Sequence, residues 1–216
     1  MFKKGKTILF DNPPVITGHA GLAGKKEGEG PLAEYFDMVF EDSSLGRKSF
    51  ELAESAMLNK AISLSLDNAG RSPSELDFIL SGDLLNQCVG SSFAVKEMGV
   101  PSIGMYGACS TMALTLATSA MLIDAGATCC AAAASSHFCS SERQFRYPLE
   151  YGGQRTPTAQ WTVTGAGSAV VEKQPPDNAK YAKITAAHIG TITDLSISDP
   201  ANMGAAMAPV SGRIRP

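Results

Sequence analysis

Cys109 has the clearest chemical potential in this chain. It lies in the segment 107–111 (GACST), between a short apolar run at 100–106 and a long, almost uncharged stretch at 110–125. The first run predicts a buried strand and the second a largely buried helix that ends at Gly126. A thiol at that corner is close to free N–H groups and the positive end of the helix dipole, which stabilise a thiolate or a bound anion. The position suits a nucleophile or an anion pocket, with a buried structural thiol as the alternative.

Further polar side chains follow other predicted strands. Asp83 and Asn86 come after the run at 78–80, and His137 comes after the run at 127–134. Because ligand sites of open α/β sheets lie beyond the carboxyl ends of the strands, we expect Asp83, Cys109 and His137 to converge on one edge. Asp83 is equally suited to capping the next helix, and a single histidine is more often structural.

A long polar segment at 135–160 contains Glu142, Arg143 and Arg146 and is predicted to be a loop. Arginine binds a carboxylate with two parallel hydrogen bonds, so this loop suits an anionic ligand. The alternative is an internal Arg–Glu pair that shapes the loop. Cys129 and Cys130 lie within an apolar strand and are expected in the core.

The elements that must position these residues alternate between strand and helix. This order predicts an α/β fold with a mostly parallel five-stranded sheet and helices packed on it. A loop is expected at 17–31, and Ser72 to Glu75 has the pattern of a capping box. The predicted strands are 7–10, 78–80, 100–106, 127–134, 161–171 and 183–193, and the predicted helices are 50–64, 89–98 and 110–125.

Composition excludes several classes of function. The 216 residues are 44% hydrophobic and 18% charged with a net charge of −3, which is typical of a globular protein and not of one that binds nucleic acid. Five cysteines without framework spacing predict a reducing compartment, and the absence of a C-x-x-C pair argues against a metal site. The sequence contains no phosphate-loop motif, so we predict no cofactor. The longest apolar stretch, 111–123, is too short to span a bilayer, so membrane association would need partner proteins.

The element order, with a cysteine opening the third helix, resembles the N-terminal half of the thiolase-like superfamily. Segments 107–111 (GACST) and 123–126 (IDAG) are similar to the nucleophile segment of ketoacyl synthases. More specific segments together resemble the stage V sporulation protein AD family of endospore formers, up to about Pro209. These segments are 30–32 (GPL), 81–87 (SGDLLNQ), 136–137 (SH), 141–148 (SERQFRYP), 150–154 (EYGGQ), 162–167 (TVTGAG), and 199–200 (DP) through 207–209 (MAP).

The resemblance implies a binding protein and not a turnover enzyme. Members of that family bind dipicolinic acid, a pyridine dicarboxylate, and work with other stage V sporulation membrane proteins to load it into the developing spore. The implied location is the cytoplasmic side of the forespore inner membrane. The alternatives are a ketoacyl-synthase-like acyltransferase with Cys109 as nucleophile, and a structural partner that only docks on membrane components. The expected ligand-binding residues are Cys109, Ser110, His137, Arg143, Arg146, Asp83 and Asn86.

The resemblance also implies that the chain is one half of a duplicated fold. Thiolase-like proteins have two similar halves, and the second supplies the catalytic histidine and its partner. We therefore expect 1–216 to be an N-terminal half, family-like over about 1–209, with a divergent tail at 210–216. The apolar face that a second half would cover predicts self-association.

Overall fold

The computed structural model describes residues 1–145, 162–175, 179–198 and 202–211. Over these residues the strands are β1 (Phe2–Lys4), β2 (Thr7–Leu9), β3 (Val15–Gly24), β4 (Met38–Phe40), β5 (Phe78–Gly82), β6 (Ser102–Gly104), β7 (Cys129–Ser136), β8 (Gly165–Glu172), β9 (Ala182–Lys183) and β10 (Ala186–His188). The helices are α1 (Lys25–Gly28), α2 (Phe50–Ala69), α3 (Val89–Val95), α4 (Thr111–Asp124), α5 (Phe138–Phe145) and α6 (Met203–Ser211).

A large mixed sheet organises the fold. Its strand order is β4-β3-β8-β7-β5-β6, and β9 pairs with β3. Strands β3 to β7 all point the same way, whereas β8 runs antiparallel to β3 and β7, and β9 antiparallel to β3. The sheet is thus mostly parallel as predicted, but it has seven strands and not five. Two of its strands, β3 and β4, have no counterpart among the predicted strands. Strand β4 has only three residues, too few for an alternating pattern to be visible.

Alternate residues of the central strands supply two cores on opposite faces of the sheet. Ile79, Ala131 and Val170 pack under α2 in one core, and their neighbours Leu80, Ala132 and Val171 pack under α4 in the other. Both faces of the sheet are therefore covered by helices, as expected for a mainly parallel sheet.

Helix α2 confirms the prediction from residue spacing. Ser49 caps its start by accepting a hydrogen bond from the N–H of Leu52 (3.3 Å). Gly70 ends it in the left-handed conformation with φ of 66°, which glycine adopts without steric cost. The capping box at Ser72–Glu75 is also present, at the start of a 3₁₀ turn.

Three sequence predictions need correction. Residues 17–31 are not all loop, because β3 occupies Val15–Gly24. Its glycines masked the strand pattern, and Gly18 is needed there since a Cβ would lie 2.4 Å from the Ser65 carbonyl oxygen on α2. The segment 100–106 is not a buried strand, because β6 is a three-residue, exposed edge strand.

The third correction concerns the polar segment 135–160, where 138–145 form α5. The rest of that segment, from 146, lies outside the described residues. The predicted strand at 7–10 exists as β2, but it belongs to a separate three-stranded sheet, β1-β2-β10. We call this the small sheet. The predicted strand at 183–193 is divided between β9 and β10.

Candidate functional site

The carboxyl ends of three adjacent parallel strands form one edge of the large sheet. Ser81 of β5 pairs with Gly104 of β6, and Gly82 pairs with Ala134 of β7. The segments that follow these strands therefore begin along the same edge, as predicted from their order. We call this edge the rim and define it by Asp83, Asn86, Cys109, Ser110 and His137.

Cys109 is exposed and lies in a 3₁₀ turn, Ala108–Ser110, directly before α4. The turn is held by its own polar groups: Ser110 Oγ donates to the Gly107 carbonyl (2.7 Å) and Thr111 Oγ1 donates to the Ala108 carbonyl (2.8 Å). Ala108 has φ of 46°, a sparsely populated conformation for alanine. The exposure does not fit the alternative of a buried structural thiol. The thiol is available at a helix N-terminus, where an anion is stabilised.

Close packing brings the end of β5 against the Cys109 turn. A Cβ on Gly82 would lie 1.9 Å from the Met105 carbonyl oxygen and 2.7 Å from Thr111 Cγ2. Only glycine allows that approach, so the two segments of the rim depend on residue 82.

Asp83 is buried and binds backbone, not solvent. Its Oδ1 accepts from the N–H of Leu85 (2.7 Å) and its Oδ2 from the N–H of Ser91 (2.6 Å). These contacts fold the chain into the start of α3 and satisfy N–H groups there. The geometry is the capping arrangement considered as an alternative at Asp83.

The segment between Asp83 and α3 is conformationally strained. Gln87 and Cys88 have φ of 61° and 52°, in the left-handed region. Asn86 and Gln87 are exposed, while Cys88 is buried and donates its thiol to the Met105 carbonyl (3.4 Å). Burial, with a further contribution from the charge of Asp83, raises the pKa of the Cys88 thiol. Cys88 is therefore a packed thiol and Cys109 the accessible one.

Tyr106 belongs to the same neighbourhood, although sequence reasoning did not select it. Its side chain is half exposed. Its pKa is raised by partial burial and then by the nearby groups Cys109, Cys88 and Asp83. The signal available in sequence was an aromatic residue at a strand end, directly before the GACST segment.

His137 is fully buried, and both of its ring nitrogens contact backbone atoms. Nε2 donates to the Ser43 carbonyl (2.8 Å), and Nδ1 accepts from the N–H of Cys139 (3.2 Å). The ring stacks on Phe50 with centroids 5.0 Å apart. In this arrangement His137 ties α5 to the loop before α2. Its predicted role in ligand binding stays a prediction.

Arg143 lies on α5, which begins at the rim beside His137. Arg146 lies outside the described residues. The predicted roles of both arginines in binding a carboxylate therefore stay predictions.

Glu54 of α2 is a buried carboxyl behind the rim that sequence reasoning missed. It is fully buried and accepts hydrogen bonds from Ser135 Oγ (3.1 Å) and Ser140 Oγ (2.9 Å). Burial raises its pKa to about 7, opposed by the two serines and reinforced by the charge of Asp83. The signal was present: Glu54 shares a helix face with Leu58 and Ala61, at spacings of four and seven residues.

A cleft of about 470 Å³ lies between β4, the following loop and α2. Its lining includes the apolar residues Phe40 and Leu45 and the basic residues Arg47 and Lys60. It is separate from Cys109, and no sequence motif indicated it. The loop beside it includes Ser43, which receives the His137 hydrogen bond.

The described residues, 1–145, 162–175, 179–198 and 202–211, were also compared with the requirements of a metal site and of a membrane span. No group of three or more His, Cys, Asp or Glu side chains there is arranged to hold a metal ion. In the same ranges, every helix is too short or too polar to cross a bilayer.

The fold is shared with solved structures of low sequence identity. The 3-oxoacyl-[acyl-carrier-protein] synthase III of Aquifex aeolicus matches with a TM-score of 0.52 at 18% identity, over 76% of this chain and 55% of that one. OleA H285N of Xanthomonas campestris matches with a TM-score of 0.51 at 14% identity, over 76% and 57%. These likenesses establish the thiolase-like α/β fold and a match to about half of each solved chain.

Sequence comparison is more specific. Residues 4–214 match the family model for stage V sporulation protein AD. Stage V sporulation protein AD of Bacillus subtilis (strain 168) is 40% identical over 207 residues, which are 95% of this chain and 60% of that protein. The chain thus spans about 60% of the length of its relative. By both its family match and its identity to this relative, the chain belongs to the stage V sporulation protein AD family.

Proposed function

We propose that this chain binds dipicolinate at the rim, beside Cys109 and Ser110, and takes part in the uptake of this dicarboxylate into the developing spore. In this proposal it is a binding protein, and turnover chemistry is not its role. It acts with other stage V sporulation membrane proteins on the cytoplasmic side of the forespore inner membrane. Membership of the stage V sporulation protein AD family supports a role in sporulation, and the ligand, the partners and the location are part of the proposal.

The observation that carries the proposed site is the exposed Cys109–Ser110 turn at the N-terminus of α4. Such a terminus attracts one carboxylate of the ligand. The half-exposed ring of Tyr106 offers an aromatic surface beside it, on which a pyridine ring can stack. We assign the second carboxylate to Arg143 or Arg146, because a guanidinium binds a carboxylate bidentately.

Asp83 and His137 have indirect roles in this proposal. The carboxylate of Asp83 holds the start of α3, and the ring of His137 holds the loop at Ser43. Both residues therefore shape the rim. We expect His137→Ala to weaken binding by about ten-fold, corresponding to about 1.4 kcal/mol, because the rim loses this support.

Calorimetry with dipicolinate and benzoate tests the site. Each charge-assisted hydrogen bond contributes roughly 1.5–3 kcal/mol, so benzoate, with one carboxylate, should bind at least ten-fold more weakly. Cys109→Trp should block binding by filling the site. Ser74→Trp is the matched control, since Ser74 is exposed just before β5, at the opposite end of that strand. Equal affinity for the two acids, or equal effects of the two tryptophans, would refute the proposed site.

The alternative function is acyl transfer, and it should be tested because the thiol of Cys109 is exposed. The thiol would attack the thioester carbonyl of an acyl-CoA, form a new thioester and release the CoA thiol. The ring of His137 is hydrogen-bonded to backbone at both nitrogens, which does not suit a base for that thiol. We therefore expect mass spectrometry to find no acyl group on Cys109 after incubation with acetyl- or malonyl-CoA. A stable thioester there would establish the enzyme instead.

A further inference from the structure

The small sheet has one covered face and one open face. Its register places Ile8 opposite Lys3 on β1 and opposite Ala187 on β10. Ile8 and Ala187 pack with Phe10 and Ala120 of α4, so this face is directed inward. Because side chains alternate along a strand, the residues on either side of Ile8 project outward.

The open face consists of two rows of side chains that follow from the register. One row is Phe2, Leu9 and Ala186, and the other is Lys4, Thr7 and His188. Thr7 Oγ1 and His188 Nδ1 are 2.9 Å apart, which confirms that they share a face. An apolar row therefore lies directly beside a polar row that carries a lysine.

The segment after β10 extends this surface. The N–H of Ile189 donates to the Lys6 carbonyl (3.1 Å), and Lys6 Nζ contacts Thr191 Oγ1. Ile192 follows with a completely exposed side chain, and Ile189 and Phe2 are 59% and 53% exposed. Large apolar side chains thus protrude next to Lys4 and Lys6.

The open face itself carries positive charge. Strand β1 contains two lysines, and β2 and β10 contain neither lysine nor carboxylate. The segment beyond Ile192 adds one exposed carboxylate, Asp194. Two further carboxylates, Asp11 and Asp124, lie 3.1 and 3.0 Å from the α-amino group of Met1, which offsets one of their two charges. Lysine is depleted from protein–protein interfaces, whereas protruding apolar residues flanked by lysines are typical of surfaces that lie on anionic bilayers.

We infer that the open face of the small sheet docks peripherally on an anionic lipid surface. Phe2 and Ile192 insert between the headgroups, and Lys4 and Lys6 contact lipid phosphates. This contact replaces the sequence-based expectation that only partner proteins would bring the chain to a membrane. It is independent of the dipicolinate proposal, because the small sheet contributes no residue to the rim.

Vesicle co-sedimentation of the 216-residue chain tests the inference. We expect binding to vesicles in which about a third of the lipid is phosphatidylglycerol, little binding to phosphatidylcholine alone, and loss of binding at about 0.5 M salt. The double variant Lys4→Glu, Lys6→Glu should lower the partition coefficient at least ten-fold, at about ten-fold per 1.4 kcal/mol. Ile192→Ser should lower it several-fold.

The matched control is Lys48→Glu combined with Lys60→Glu, which makes the same charge change near α2, on the other side of the large sheet. It should bind as the unmodified chain does. Because Lys6 also contacts Thr191, Lys4→Glu alone is measured beside the double variant, with thermal melts to show that each variant is folded.

Three results would overturn the inference. The first is equal binding to the two kinds of vesicle, or none to either. The second is an equal effect of the control pair and the Lys4, Lys6 pair. The third is association between chains that Ile192→Ser abolishes, without vesicle binding, because the face would then be a protein contact.

Discussion

Replacing Glu54 with glutamine should stabilise the protein at neutral and alkaline pH and have little effect in acid. The carboxyl is fully buried, and its neighbours are two serine hydroxyls and the charge of Asp83. Its pKa is raised from 4.5 to about 7. The folded protein therefore retains a proton at this site over a pH range in which the unfolded chain has lost it.

The sign and size of the effect follow from linkage. Below pH 4.5 the group is protonated in both states and contributes no pH dependence. Between pH 4.5 and 7 the free energy of unfolding falls as pH rises, by about 1.4 kcal/mol per pH unit and roughly 3 kcal/mol in total. Above pH 7 the loss is complete. Glutamine has no charge at any pH, and its amide can hydrogen-bond both serines.

Urea denaturation of both proteins at pH 5, 6, 7 and 8 measures this directly. The difference in the free energy of unfolding between Glu54→Gln and the unmodified chain should grow by roughly 3 kcal/mol toward pH 8. Carboxyls with lowered pKa values, such as Asp77, contribute equally to both proteins and cancel. Glu97→Gln, at an 84% exposed side chain, is the matched control and should show no such trend. A difference for Glu54→Gln that stays constant from pH 5 to 8 would refute the reasoning.

Two further predictions concern the rim. Gly82→Ala should lower the free energy of unfolding by about 3 kcal/mol in urea titrations, because its Cβ would lie 1.9 Å from the Met105 carbonyl oxygen. The control Gly104→Ala, whose Cβ would have its nearest neighbour at 3.8 Å, should lower it by less than about 1 kcal/mol. Similar losses for the two variants would contradict the close packing at Gly82. The exposed thiol of Cys109 should react with a disulfide reagent in a fast phase that Cys109→Ser removes. Burial raises the pKa of Cys130 to about 12, so this thiol should stay unreactive until the chain unfolds. A fast phase that survives Cys109→Ser would show another thiol to be the accessible one.

Local patterns predicted the elements with strong periodicity. Helix α2 was visible from its spacing and its stop at Gly70, and β7 from an uncharged run between turn residues. The strand β3 was hidden because glycines at positions 18, 21 and 24 interrupt its pattern. Gly18 and Gly24 lie against neighbouring elements that leave no room for a Cβ, which no local pattern records. The helix α5 was hidden by its polar composition.

The candidate site was only partly predictable for the same reason. Strand order was enough to bring Asp83, Cys109 and His137 to one edge. It did not reveal where the side chains point, and two of the three turn to backbone partners. Glu54 was missed because its burial depends on α5 and β7 packing over it, which is tertiary information.

The position of β8 has a consequence for the order of folding. In the described sheet, β8 (165–172) is the strand that joins β3–β4 to β7–β5–β6. As the chain leaves the ribosome, about 140 residues must be made after β3 (15–24) before its partner β8 exists, although its short partner β4 follows soon after it. Pairings this distant along the chain make folding slow, because the entropy of loop closure is lost before the stabilising contacts form. Until then β3 and β7 each have an unpaired edge, which is the kind of surface that aggregates or recruits chaperones. Nascent chains arrested before residue 165 should therefore be protease-sensitive over β3, and chains arrested well beyond residue 172 should be protected there.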